Sequence, residues 1–265
     1  MNSILQNKFE KLKENGFNLT VNKVIKDGFT AWKNIIFYGV FCVLFTYLFT
    51  SLINNLLGSY LGTNIIDLEF IKAINKLNNS QAFNKIIPLV QNYLSNPLII
   101  VKTLLSSVIG ILLYPLTAGI VYCAYLIDRN GKANFKELIS GYQGTKFLKL
   151  YLLALIVLIL HCISFFLLFI PSLYFIPAFI LAGAFIIIDD APLIQAITYS
   201  FRIVHMKFGK VFLLLVISSF ISKVLGIFLC VVGIFFTYSF SHAMVYSLYK
   251  NTVGSIDVDD EINEN

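Results

Sequence analysis

Charge is what this sequence lacks most. Only 13% of its 265 residues are charged, against 58% hydrophobic, and the mean hydropathy is +0.80. A soluble chain of this size carries about a quarter charged residues to wet its surface. Much of this surface must therefore face something other than water. Short alternating apolar and polar segments, the mark of a membrane-crossing barrel, are also missing. The apolar residues come instead in long runs such as 147–170. Inside a bilayer the backbone must satisfy its own hydrogen bonds, and without barrel strands that leaves helices. The expected fold is all-α, a polytopic membrane helical bundle.

Other absences narrow the chemistry. The four cysteines, Cys42, Cys123, Cys162 and Cys230, sit inside apolar runs without the paired spacing of a zinc or redox site, so they read as packing residues. There is no Gly-x-Ser-x-Gly, no phosphate loop and no His-Glu-x-x-His. No loop is long enough to fold a catalytic domain. The expectation is a protein that is not an enzyme and holds no cofactor. No cleavable signal peptide is expected either, since the first apolar run begins only after Lys33. The net charge of +6 reads as membrane orientation rather than as a nucleic-acid partner.

About 20 apolar residues cross a bilayer core of roughly 30 Å. The runs 35–53, 98–127, 147–170 and 173–188 qualify, with Pro115 a kink in the second. Only Pro171 and Ser172 separate the third from the fourth, which makes a tight hairpin. The run 211–249 divides into two if the chain turns between Gly226 and Gly233, leaving Lys223 to snorkel at the outer surface. The expectation is six transmembrane helices in three hairpins, forming a single membrane domain over 1–250. Fifteen of the 20 lysines and arginines then fall on one side, which the positive-inside rule makes cytoplasmic, with both termini. Residues 1–33 form a cytoplasmic amphipathic segment, and 251–265 an acidic tail expected to be disordered. Segment 63–97 is external. Its Ile65, Leu68, Ile71, Ile74 and Leu77 recur at helical spacing, and a second helix follows over 83–94 after Asn78–Ser80.

Segments 21–33, 128–149 and 189–210 share a design. Each has an interfacial amphipathic helix, then an aromatic and lysine anchor, then a hairpin. The anchors are Trp32 and Lys33 in the first, Lys146 and Lys149 in the second, and Lys207 and Lys210 in the third. The layout reads either as a pseudo-repeat framing a site or as the ordinary anchoring of any three hairpins. Inside the apolar runs, His161 and His242 are the candidate intramembrane polar site, because ionisable groups there are costly. Two histidines without a carboxylate make a poor metal site, so the plainer expectation is that each is hydrogen-bonded within the bundle. Asp189 and Asp190 precede Pro192 and are expected to cap a helix beginning at Ala191. Asp128, beside Arg129, reads as an interfacial pair.

The stretch "DDAPLIQAITYSFRIVHMKFGKVFLL" resembles a pattern of YciC-like bacterial inner-membrane proteins and of the membrane domain of some glycerophosphodiester phosphodiesterases. The match is carried by Ala196, Ile197, Ser200, Phe201 and Lys207. "IPSLYFIPAFI" resembles the same family's hairpin, with Ser172 where that family usually has glycine. The resemblance implies a six-span protein of the bacterial inner membrane with a link to envelope lipid, and it carries over no catalytic residue. The functional expectation is a non-enzymatic, envelope-organising or lipid-associated role, with membrane lipid as partner. The alternative is a small-solute transporter with a midplane site at His161 and His242.

Overall fold

The computed structural model describes residues 3–15, 18–77, 82–167, 170–228 and 232–254. Among them every regular element is helical, and no strand occurs. The helices are α1 (Ser3–Asn15), α2 (Val21–Leu61), α3 (Thr63–Asn75), α4 (Ala82–Leu94), α5 (Pro97–Gly110), α6 (Tyr114–Asn130), α7 (Phe135–Leu138), α8 (Gly144–Phe166), α9 (Ile170–Phe179), α10 (Ala182–Asp189), α11 (Leu193–Met206), α12 (Phe208–Phe228) and α13 (Val232–Lys250). Four helical stretches are long and apolar enough to cross a membrane: α2, α5–α6, α8 and α9–α10. The bent pair α11–α12 raises the number to five. Large apolar side chains such as Phe37, Leu48 and Ile163 stand exposed, as they do on a surface solvated by lipid.

The boundaries differ from expectation in physically instructive ways. Segment 21–33 is not a separate interfacial helix. No proline interrupts 21–61, and α2 runs unbroken for 41 residues before Gly62 stops it in the left-handed region at φ 70°. The separate amphipathic helix is α1, one step earlier. The break in the second apolar run falls in a 3₁₀ turn at Ile111–Leu113, and Pro115 lies in the first turn of α6, where its missing N–H costs nothing. Pro171 likewise lies in the first turn of α9 rather than in the loop before it. The expected fourth span is two helices. Ser200 Oγ donates to Ala178 O at 2.6 Å and accepts from Leu181 N at 3.2 Å, satisfying the backbone where α9 ends and α10 begins. The expected break at Asn78–Ser80, Cys230 and its surrounding turn, and the tail beyond Gly254 lie outside the described residues.

The chain forms two compact units, Met1–Leu44 with Leu113–Asn265, and Phe45–Leu112. In the first, α13 is the axis, packed on α12, α6 and α10. The start of α2 lies close against it. A Cβ at Gly39 would come 2.2 Å from Ser239 Cβ, so only glycine permits this approach. α10 is apolar all round and buried throughout the run Ala182–Ile187, as a helix enclosed by others must be. α11 runs antiparallel beside α9 and α10. Its Ser200 meets Ala178 and Leu181, its Phe201 meets Phe179 and Tyr174, and Phe208 just beyond it stacks on Tyr174 at 5.5 Å. α11 and α12 meet at 99°. In the second unit, α3, α4 and α5 pack on one another, and Phe70 stacks on Tyr93 at 4.2 Å.

Candidate functional site

The polar chemistry of the first unit gathers at the C-terminal end of α13. Three acidic residues, one from each of the segments that share a design in the sequence, meet it there. Asp27 accepts from Asn251 Nδ2 at 2.9 Å. Asp128 accepts from Tyr246 Oη at 2.6 Å and from Lys250 Nζ at 2.7 Å. Asp189 accepts from Tyr249 Oη at 3.1 Å and from Lys8 Nζ at 2.9 Å, a pair almost wholly buried. Asp128 and Asp189, which open the second and third of those segments, are both received by tyrosines three residues apart on one helix. This cluster is internally satisfied, and its role is to hold α1, α6 and α10 on α13.

Asp189 and Asp190 do not cap α11 as expected. The residue before that helix is Pro192, which offers no side-chain acceptor, and Ala191 N bonds back to Phe185 O. Asp190 ends α10 in the left-handed region at φ 49° and pairs with Lys149 at 2.8 Å. Short polar side chains tolerate that backbone better than most.

The anchoring residues divide into two groups. Lys146 Nζ donates to Ile187 O at 3.1 Å, Lys149 Nζ to Asp190 O at 3.1 Å, and Lys210 Nζ to Leu19 O at 2.8 Å. Trp32 Nε1 donates to Phe236 O at 2.9 Å. The three lysines reach backbone carbonyls at or beside helix ends, and Trp32 ties the interior of α2 to α13. Lys33 is exposed and Lys207 is half-buried where α11 ends. Of the two candidate histidines, His161 Nδ1 lies 2.8 Å from Val157 O, one turn back on α8. The His242 ring rests on Tyr238, one turn back on α13, at 5.1 Å. Each is held by its own helix. Among the described residues no three side chains of His, Cys, Asp or Glu gather as metal ligands would.

The site with open space lies elsewhere. A cleft of 640 Å³ is lined by Phe9 and Lys13 of α1, Tyr174 of α9, and Phe201, Arg202 and His205 of α11. Leu5, Phe9 and Leu12 seat α1 through its apolar side, and Phe9 stacks on Tyr199 at 4.7 Å. That leaves Lys13 at the rim. On α11 the amphipathic pattern buries Ala196, Tyr199, Ser200, Ile203 and Val204 and turns Arg202 and His205 outward, three residues apart on one face. Arg202 lies over the Phe9 ring at 5.8 Å, a cation–π contact between two residues that line the cleft. Basic groups therefore line the cleft beside aromatic rings, and among the described residues no acidic side chain lines it. Such a lining suits a ligand with an anionic head and an apolar body. In the sequence Arg202 is one of the fifteen basic residues that set the orientation, and nothing there singles it out together with His205. The amphipathic spacing of α11 and α1 was visible, but nothing in the sequence joins residue 9 to residue 174. No protein-family model, curated protein or solved structure matches this chain.

Proposed function

We propose that the chain is a non-enzymatic protein of a bacterial inner membrane, with both termini cytoplasmic, that holds the headgroup of an anionic phospholipid in the cleft between α1, α9 and α11. The observation that carries this reading is the lining itself: Lys13, Arg202 and His205 around Phe9, Tyr174 and Phe201, with no acid among them. Cationic groups near a membrane surface attract anionic headgroups, guanidinium groups bind phosphate in a fork, and aromatic rings favour the boundary between headgroup and acyl chain. The resemblance to YciC-like proteins points the same way. The lipid reading is favoured over transport because it uses the open cleft, whereas His161 Nδ1 lies 2.8 Å from Val157 O and the His242 ring packs on Tyr238, each one turn back on its own helix.

The distribution of lysines and arginines supports this orientation. It is met by six crossings, and equally by four in which α2, α5–α6, α12 and the more polar α13 cross while α8 and α9–α10, though long and apolar enough to cross, enter and leave from the cytoplasmic side, since residues 167–170 carry no charge. The antiparallel register of α11 along α9–α10, and its 99° angle to α12, favour the second. Helices lying at right angles do not cross one bilayer together. Tyr174 then sits at the cytoplasmic interface beside Phe208, where the cleft requires it.

The test is lipid retention. Protein purified in mild detergent is analysed by native mass spectrometry beside the Arg202→Gln, His205→Gln double variant. The expected outcome is an anionic phospholipid enriched over the bulk membrane in the parent and reduced roughly tenfold in the variant, about the worth of one lost charge-assisted contact. Bulk-like lipid in both proteins would remove the reading.

A further inference from the structure

The second unit contains a polar cleft that the lipid reading does not use. The half of α2 within Phe45–Leu112 carries Thr46, Thr50, Ser51, Asn54, Asn55 and Ser59 among apolar and aromatic residues. Across from it, α5 carries Thr103, Ser106 and Ser107 among leucines, isoleucines and valines. Polar residues in helices of this composition are expensive and call for a partner. Two adjoining cavities of 290 and 370 Å³ share Thr50 and Asn54 as lining, and together they reach from Ser106 to Asn64. Sites for small molecules begin at about this size.

The hydrogen bonds show what the cleft offers. Asn54 Oδ1 is occupied by Ser106 Oγ at 2.8 Å, which fixes the amide and leaves its NH₂ without a protein acceptor among the described residues. Thr50 Oγ1 donates to Thr46 O at 2.7 Å and Ser107 Oγ to Thr103 O at 2.8 Å, so both hydroxyls retain acceptor capacity. Asn64 is held by Ser59 at 3.0 Å. The charges cancel: Lys102 Nζ lies 2.6 Å from Asp67 Oδ2, and Tyr93 Oη donates to Oδ1 at 2.7 Å. An anion finds the lysine already neutralised, a cation finds the carboxylate doubly bonded, and an apolar ligand would strand the amides.

We infer that this cleft binds a neutral polyhydroxyl group the size of one sugar ring, through the Asn54 amide and the Thr50 and Ser107 hydroxyls. Vicinal hydroxyls both donate and accept, which matches fixed amide donors beside hydroxyl acceptors. The same chemistry is offered by a free sugar and by a glycolipid head.

The test uses the full chain in nanodiscs with two probes. Methyl β-glucoside is added in solution and read by saturation-transfer NMR. Monoglucosyl diacylglycerol is doped into the bilayer and read by native mass spectrometry. Binding of either probe to the parent protein, weakened roughly tenfold by Asn54→Leu, is expected; which probe binds tells whether the source is solution or membrane. Thr50→Val, which keeps the volume, should weaken the same probe, and Leu105→Ala, an exposed apolar position on α5, should not. The inference is overturned if neither probe binds the parent, or if Thr50→Val and Asn54→Leu bind as the parent does. Should Asn54→Leu lose its monodisperse elution, Thr50→Val decides alone.

Discussion

At the scale of single residues, the buried charges decide most. Lys8 and Asp189 form a pair with side chains 10% and 4% exposed. Removing one partner strands the other, a change that costs about 3–5 kcal/mol in comparable buried pairs. Asp189→Asn should therefore lower the unfolding temperature of the detergent-solubilised protein strongly, whereas Asp190→Asn, whose carboxylate is 57% exposed, should barely move it. Equal shifts would show that Asp189 is not the keystone of the α13 cluster. Asp67 supplies a pH dependence. Burial raises its pKa, but the hydrogen bonds from Lys102 and Tyr93 and the lysine's charge outweigh that, and the net value is lowered. A depressed carboxylate contributes stability above its unfolded pKa and loses it as pH falls through the folded one. Protection factors of amides in α3 and α4, with the intrinsic pH dependence of exchange divided out, should accordingly fall on acidification below the ordinary carboxylate range, and Asp67→Asn should abolish that fall. For Tyr93, burial and then the Asp67 carboxylate push the phenol up to about 12, so its donor persists at all ordinary pH.

At the scale of elements, the periodic helices were legible and the tertiary breaks were not. The apolar spacing from Ile65 to Ile74 marks α3, and a second helix is found as α4, because an isolated amphipathic pattern needs no distant partner to be read. The continuity of α2 through Trp32 and Lys33 was hidden, since a change in polarity along a helix resembles a boundary when nothing actually breaks it. The division of α9 from α10 was hidden for a different reason: the hydroxyl that satisfies it belongs to Ser200, about twenty residues further on. Ser200→Ala should thus destabilise by about 1–3 kcal/mol, the usual cost of stranding buried backbone groups, measured as a lower unfolding temperature. The approach of α2 to α13 makes a sharper contrast. Gly39→Leu would drive a side chain into Ser239 and should abolish monodisperse elution, while Gly209→Ala, with nothing within 4 Å of the new atom, should be neutral or mildly stabilising. Tolerance of leucine at position 39 would mean that the two helices stand further apart than this.

At the scale of the whole molecule, composition alone points to helices long and apolar enough to cross a membrane, and the charge distribution supports the proposed orientation. Neither could locate the cleft. Lys13, Tyr174 and Arg202 are brought together by folding, and the residues that stand out in the sequence, His161 and His242, are the ones that take partners one helical turn away. Rarity within an apolar run marks a costly residue, but a costly residue can be satisfied by its own helix. The second unit was more readable in retrospect: Thr50 and Asn54 are four apart, and Thr103, Ser106 and Ser107 lie on one side of α5. The proposed topology has its own check. In a cysteine-free background, Leu173→Cys, at an exposed position of α9, should stay unlabelled by a membrane-impermeant maleimide applied outside intact cells, and should react after the cytoplasmic face is opened. Labelling from outside would restore six crossings and would part Tyr174 from the cytoplasmic cleft.

The lipid site itself is tested most directly by a photoactivatable anionic phospholipid, with its reactive group near the phosphate, incorporated around the intact protein. Crosslinks should map to the turns of α1 and α11 that carry Phe9 to Lys13 and Phe201 to Met206, and an excess of unlabelled anionic phospholipid, but not of a zwitterionic one, should remove them. Crosslinks spread over the exposed apolar faces, unchanged by either competitor, would contradict a headgroup site in this cleft.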